Sequence, residues 1–294
     1  MASRPLHTFD VIDAHPLTPH MMRVRLGGPG FDTFTPSAFT DSYVKLAILP
    51  DGVDATAATE SGPLTIDSFA VLPPEQRPTI RTITVRRANP EAREITLDIV
   101  NHGDIGFAGR WAAHAEPGDT IHLMGPSGAY APDPRADWHL MAGDESALPA
   151  LSAALEALPP NAIGQAFIEV AGPDDEVQVI APEGMRVQWI HRGGRAHLVS
   201  DDLAGDNAPL IEAVRSAPWL PGQVQVFIHG EAQAVMHNLR PYIRSVRGVP
   251  AVWASSISGY WRRGRTEESF RQWKRELADT EAQESGPATA AGNA

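Results

Sequence analysis

The chain has 294 residues and a formal net charge of −12, with 43% hydrophobic and 20% charged residues. That length accommodates two domains with separate cores, and the balance is that of a folded globular chain. The absence of cysteine excludes disulfides and Cys-ligated metal centres, the acidic total argues against a nucleic-acid partner, and no apolar run reaches membrane-spanning length.

Residues 6–49 read as strand-rich, with segments Thr8–Ala14, Met21–Leu26 and Ser42–Leu49. Residues 50–78 are rich in Pro, Gly and acids and read as a long surface loop. Strand candidates follow at Ile80–Arg86, Glu94–Val100 and Thr120–Met124, which together predict a small antiparallel barrel. Pro132 and Pro134 mark a linker. Beyond it come a strand at Trp138–Ala142, a helix at Leu148–Leu158, strands at Ala166–Val170, Val187–His191 and Val224–His229, a helix at Ala232–Ser245 and a last strand at Val252–Ser256. Strands alternating with helices predict an α/β domain with a mostly parallel sheet. The expected division is a barrel domain over 1–131, an α/β domain with a basic C-terminal segment over 136–276, and a disordered tail over 277–294. The N-terminus lacks the apolar core of a secretory signal, so a cytoplasmic protein is expected.

Several segments carry potential chemistry. In the strand Arg81-Thr82-Ile83-Thr84-Val85-Arg86, alternation places Thr82, Thr84 and Arg86 on one face. An arginine fork suits a diphosphate and a threonine hydroxyl suits a ring edge. In the run from His102 to Ala112, the small residues Gly106, Ala108 and Gly109 precede a helical stretch, and Trp111 would pack it down; backbone N–H groups there can approach a phosphate. The turn Gly143-Asp144-Glu145-Ser146-Ala147 and the segment Gly230-Glu231-Ala232 each join a strand end to a helix start, where open α/β sheets bind nucleotides. Arg192, just past a strand, is a candidate for a 2′-phosphate. Between Leu239 and Arg275 there are nine basic residues and two acids, a local basic surface that suits an anionic small partner. Lys45 is one of only two lysines beside 22 arginines. The eleven histidines form no convincing ligand cluster, and no metal site is expected.

Taken together, RTITVR (81–86), HGDIGFAGRWA (102–112), GPSGAY (125–130), DWHLMAGDESALPA (137–150), WIHR (189–192), HGEA (229–232) and SGYWRRGR (258–265) resemble the siderophore-interacting proteins. These are FAD-dependent ferric-siderophore reductases of the ferredoxin–NADP reductase-like superfamily. The resemblance covers roughly residues 6–275. It implies an N-terminal FAD-binding barrel, a C-terminal Rossmann-like NAD(P)H-binding domain, and electron transfer from NADPH through FAD to siderophore-bound Fe(III). For FAD it implies Arg81, Thr82, Ile83, Thr84, Val100, His102, Gly106, Phe107, Ala108, Gly109 and Trp111. For NADPH and the flavin edge it implies Gly143, Asp144, Glu145, Ser146, Ala147, Arg192, Gly230, Glu231, Ala232 and Trp261. Thr84 and Glu231 are the candidates nearest the reacting rings, and Lys45, Arg262 and Arg263 are those for a ferric siderophore. A monomer without nucleic-acid or membrane partners is expected. The sequence departs from the family pattern at Ile83, where an aromatic is usual, at Phe107, where proline is common, and at Gly109, where serine is common. A general NADPH-dependent flavin or quinone reductase, or a non-catalytic binding member, stands as the alternative.

Overall fold

A computed structural model of the protein describes residues 5–53, 58, 64–103 and 106–284. The first half alternates apolar and polar residues along its strands, so each strand buries one face. Six strands result: β1 (His7–Thr18), β2 (Met21–Gly27), β3 (Tyr43–Ile48), β4 (Thr79–Asn89), β5 (Glu94–Val100) and β6 (Thr120–Ser127). They close into an antiparallel barrel in the order β1-β2-β5-β4-β3-β6, which leaves no free sheet edge. Phe9, Val24, Leu26, Val44, Leu46, Ile95, Leu97 and Leu123 fill the interior. Outward-facing arginines pair across strands, Arg23 with Asp98 at 2.7 Å among them. A short helix, α1 (Ala108–His114), packs Ala108, Trp111 and Ala112 against the barrel core.

The second half has the opposite signature. β7 (Trp138–Asp144) and β8 (Gly164–Val170) are buried at every position, as strands covered on both faces must be. With β9 (Met185–His191), β10 (Val224–Glu231) and β11 (Ser256–Trp261) they form a parallel sheet in the order β11-β10-β7-β8-β9. On one face α2 (Leu148–Glu156) buries Leu148, Leu151 and Leu155. On the other, α3 (Pro209–Ser216) and two π-helical segments, Gln233–Leu239 and Tyr242–Val246, pack with Trp138, Leu140 and Val226. Met21 and Tyr130 from the barrel half join the α2 core, and Arg86 of β4 forms a bidentate pair with Glu156 of α2. The two halves are therefore packed together at their junction.

Three expectations are corrected. The last strand is Ser256–Trp261 rather than Val252–Ser256, and Val252 is exposed. The chain past 277 is not tail throughout: helix α4 (Glu267–Glu284) continues to 284, its first turns anchored by the buried Phe270. Residues 285–294 of the expected tail lie outside the described residues. Among its described residues the loop over 50–78 holds two short 3₁₀ turns, Ile66–Val71 and Pro74–Gln76. Among the described residues no helix is long and apolar enough to cross a membrane.

Candidate functional site

The outer face of β4 meets the second half of the chain: Thr82 bonds Glu267 in the first turn of α4, and Arg86 pairs with Glu156 of α2. Lys45 lies directly opposite Thr82, and Tyr43 opposite Thr84; directly paired residues share a face. Because Val44 and Leu46 point into the core, Tyr43, Lys45, Thr82 and Thr84 form one patch on the outside of the barrel. Ile83 instead leans into the barrel core, so it presents no ring to that patch. Among the described residues Lys45 has neither an ion pair nor a hydrogen bond to its ammonium.

At the end of β4 the Arg81 guanidinium stacks on the half-exposed ring of Phe107, 4.7 Å from its centroid. Phe107 immediately precedes α1, which has no side-chain cap. A Cβ on Gly109 would lie 2.7 Å from the Val100 carbonyl oxygen and 3.1 Å from the Asn101 Cα. Glycine at 109 thus lets α1 lie against the end of β5, a packing reason for the missing serine. Asp104 and Ile105 of this segment lie outside the described residues. The donor set suits FAD: a cation and a flat ring for the diphosphate end, and the Thr84 hydroxyl for a ring edge.

Arg81 is already engaged. Its guanidinium pairs with Glu268 at 2.6 Å and with Glu267 at 3.8 Å. Thr82 donates its hydroxyl to Glu267 at 3.0 Å, and Arg271 holds the same carboxylate. The acidic first turn of α4 therefore lies on the strand expected to bind FAD, a contact absent from the sequence reading.

On the α/β side, Asp144 organises three strand ends. Its Oδ1 accepts from the Ser146 backbone N–H at 2.9 Å and from the Ser146 hydroxyl, and its Oδ2 accepts from the Glu231 N–H at 2.8 Å and the Trp261 indole at 2.7 Å. A Cβ on Gly143 would lie 2.6 Å from the His229 carbonyl oxygen, and one on Gly230 2.8 Å from Asp144 Oδ2. Side chains are excluded there because both glycines are buried where the ends of β7 and β10 pack against each other and against the start of α2. Glu231 caps the following helical segment, accepting from the N–H groups of Gln233 and Ala234; Ala232 and Ala147 are fully buried beside it. His229 sits between the tilted rings of Phe227 and Tyr260, with centroids 4.5 Å from each, and burial pushes its pKa down to about 3, so it is neutral.

Arg192 does not face a ligand. It is buried, and its guanidinium is paired with Glu145 and, at 3.2 Å, with Glu169, while Nε donates to the Gly194 carbonyl. The expectation that it holds a 2′-phosphate is corrected, because both carboxylates already consume its charge. Arg262 donates to Gln233 and stacks on Trp273 at 4.6 Å, and Arg263 donates to the Val199 carbonyl. Of the three residues expected to form a substrate cleft, Lys45 alone is unengaged among the described residues.

An antiparallel barrel joined to a parallel nucleotide-type sheet, with cation and hydroxyl donors on the barrel, is a fold of the ferredoxin–NADP reductase type. A ferredoxin NADP+ reductase from Neisseria gonorrhoeae shares it at a TM-score of 0.55, with 14% identity over 81% of this chain and 91% of that one. The chain belongs to the siderophore-interacting protein family: residues 10–130 match the siderophore-interacting FAD-binding domain and residues 136–264 match the siderophore-interacting protein domain. An uncharacterised Mycobacterium tuberculosis protein is 67% identical over 96% of this chain and 99% of its own length. The ferric vibriobactin reductase ViuB of Vibrio cholerae is 33% identical over 72% of this chain and 74% of that protein. The siderophore-interacting protein SipS of Aeromonas hydrophila superposes with a TM-score of 0.71 at 28% identity, covering 94% of this chain and 99% of that one.

Proposed function

We propose that the protein is a ferric-siderophore reductase, acting as a cytoplasmic monomer that carries electrons from NADPH through FAD to Fe(III) held in a siderophore. The observation that carries this reading is the ammonium of Lys45, unpaired among the described residues, on the same outer patch as Thr82 and Thr84. A lone cation beside a flavin-binding strand suits an anionic ferric chelate, and the similarity to a ferric vibriobactin reductase supports that substrate class.

Bound FAD supplies the conversion of a two-electron donor into one-electron steps. NADPH releases two electrons and a proton, so each NADPH serves two ferric chelates. The protein binds and orients. Arg81 neutralises diphosphate charge, and the nearly buried Thr84 hydroxyl fixes a ring edge. The strand ends that Gly143 and Gly230 bring together would carry the dinucleotide, with Asp144 holding the Trp261 ring beside them. Lys45 attracts the chelate without taking part in bond making. Fe(II) is held less tightly by hard oxygen ligands than Fe(III), so reduction releases it.

Lys45→Met is expected to raise KM for an anionic ferric siderophore roughly tenfold, the scale of one lost charge-assisted contact, while KM for a neutral quinone is unchanged. Initial rates with an Fe(II)-trapping dye measure this. Equal KM values for the variant and the wild type would remove Lys45 from substrate binding.

The acidic turn of α4 makes a second prediction. A diphosphate at Arg81 has to displace Glu267 and Glu268. Partly exposed pairs of this kind contribute up to about 1 kcal/mol each. Glu267→Gln combined with Glu268→Gln is therefore expected to tighten FAD binding about 5–10-fold at low salt. Quenching of FAD fluorescence reports the change; unchanged or weaker binding would mean that the turn does not compete with the cofactor.

A further inference from the structure

With Arg192 excluded from ligand binding, the carboxyl edge of the sheet still presents another guanidinium. The chain leaves β9 through Arg192 and Gly193, and Arg192 Nε holds the Gly194 carbonyl, which fixes the start of the following loop. Arg195 is next. Among the described residues its guanidinium has no carboxylate partner and no hydrogen bond, although the chain carries 36 acidic residues.

Arg195 faces the barrel half. A Cβ on Gly103, in the segment between β5 and α1, would lie 3.3 Å from its Nη1. Beside it the rings of His102 and His197 meet edge-to-face with centroids 4.8 Å apart. Both ring nitrogens of His197 are buried without a hydrogen-bond partner. A neutral imidazole always carries one N–H, so at least one buried donor there is unsatisfied, which costs free energy unless a ligand supplies the acceptor. Burial, the neighbouring imidazole and Arg195 hold His102 down at about 4, and burial with Arg195, Arg192 and Arg263 lowers His197. A fourth group, His20 in the β1–β2 turn, is already paired with Asp175 at 2.8 Å. Among the described residues the nearby acids are committed elsewhere: Glu145 to Arg192, and Asp144 to Ser146, Glu231 and Trp261. Among the described residues, a guanidinium without a partner and an imidazole without a hydrogen bond thus lie side by side.

Position narrows the anion. In an open parallel sheet the dinucleotide crosses the carboxyl ends of the strands, with its diphosphate at the first strand-to-helix turn. Here that turn is Gly143–Ala147, and strand order reverses between β7 and β10. One half of a bound dinucleotide would run towards β10 and β11, where Tyr260 and Trp261 end the sheet. The adenosine half would run over β8 towards β9, and Arg195 lies four residues past the end of that strand.

We infer that Arg195, with His197 and His102 beside it, is the subsite that receives the 2′-phosphate of NADPH and sets the preference for NADPH over NADH. This rests on the reductase reading for the identity of the donor, and it moves the phosphate contact from Arg192 to Arg195. A dianionic phosphate would complete the Arg195 pairing and, once the His197 ring turns towards it, would supply the acceptor that the ring N–H lacks.

The test uses the FAD-loaded full chain and needs no turnover. Calorimetric titration with 2′,5′-ADP and with 5′-AMP separates the 2′-phosphate from the rest of the nucleotide. The wild type is expected to bind 2′,5′-ADP at least tenfold more tightly than 5′-AMP. In Arg195→Gln, and separately in His197→Asn, that ratio falls to about twofold or less while 5′-AMP affinity stays the same. A wild type without the preference, or an Arg195→Gln protein that keeps it, overturns the assignment. FAD affinity, measured on the apoprotein, distinguishes the other phosphate source: a loss of FAD binding in Arg195→Gln with an intact 2′,5′-ADP preference would assign the anion to the flavin nucleotide and overturn the 2′-phosphate reading. A protein that shows the binding preference yet fails to reduce ferric chelates would leave this subsite standing and remove the reductase reading alone.

Discussion

Replacing Arg192 with methionine is expected to destabilise the protein by about 3–5 kcal/mol, the cost of leaving buried carboxylates without their counter-charge. Glu145 and Glu169 share the Arg192 guanidinium in the interior of the α/β domain. Burial already holds the Glu145 carboxyl up at about 7 despite the arginine, and burial raises Glu169 as well. Glu145 Oε2 has no hydrogen-bond partner among the described residues, so this site tolerates a protonated carboxyl. A carboxyl raised in the fold binds its proton more readily folded than unfolded. Its contribution to stability is complete below its unfolded value of 4.5 and is lost as pH rises through about 7. The Arg192→Met deficit should therefore be larger at pH 8 than at pH 5.5, and adding Glu145→Gln and Glu169→Gln should restore most of it. Calorimetric melting at the two pH values measures this; at about 2–4 °C per kcal/mol the loss is about 6–20 °C. A variant that melts within about 2 °C of the wild type at pH 8 would show that the cluster is not a paired triad.

The second large effect is at Asp144. Its carboxylate accepts from Ser146, Glu231 and Trp261, groups that end β7, β10 and β11. Asp144→Ala orphans the Glu231 N–H and the Trp261 indole at once. Hydrogen bonds to a buried charge contribute about 1.5–3 kcal/mol each, so a loss of about 3–4 kcal/mol is expected after partial relaxation. Asp144→Asn keeps one acceptor oxygen and should lose less. Because Trp261 is released, KM for NADPH should rise in Asp144→Ala more than FAD affinity falls. Steady-state kinetics and FAD titration separate the two; equal losses in both would show that Asp144 holds the whole domain junction and not the nicotinamide side in particular.

Much of the fold was legible because its cause is local. Periodicity of two in the first half and buried strands alternating with helices in the second are written in consecutive residues. The misplaced last strand shows the limit. Val252 looks like strand interior, but the strand that packs is Ser256–Trp261, whose Gly259 is needed because a Cβ there would lie 2.7 Å from that of Ala232. The α3 helix went unread although Pro209 at its start and Leu210, Ile211 and Val214 on one face carry the usual signals.

The site was less legible because its decisive contacts are long-range. Arg192 meets Glu145 and Glu169 across 47 and 23 residues, and Arg81 meets Glu268 across 187. Nothing in the strand WIHR indicates that its arginine turns inward; the excess of buried acids does, once the sheet is built. Lys45 was legible for a simple reason: a lysine in an arginine-biased chain, in register with the Thr82 position, ends on the outer face by alternation alone.

The most direct test of the central claim is an anaerobic visible spectrum of the FAD-loaded protein, recorded on adding NADPH and then a ferric siderophore with an Fe(II)-trapping dye. The flavin band is expected to bleach with NADPH and to return on adding the ferric chelate, with two trapped Fe(II) formed per NADPH consumed. A flavin band that bleaches but stays bleached in the presence of the ferric siderophore would contradict the claim.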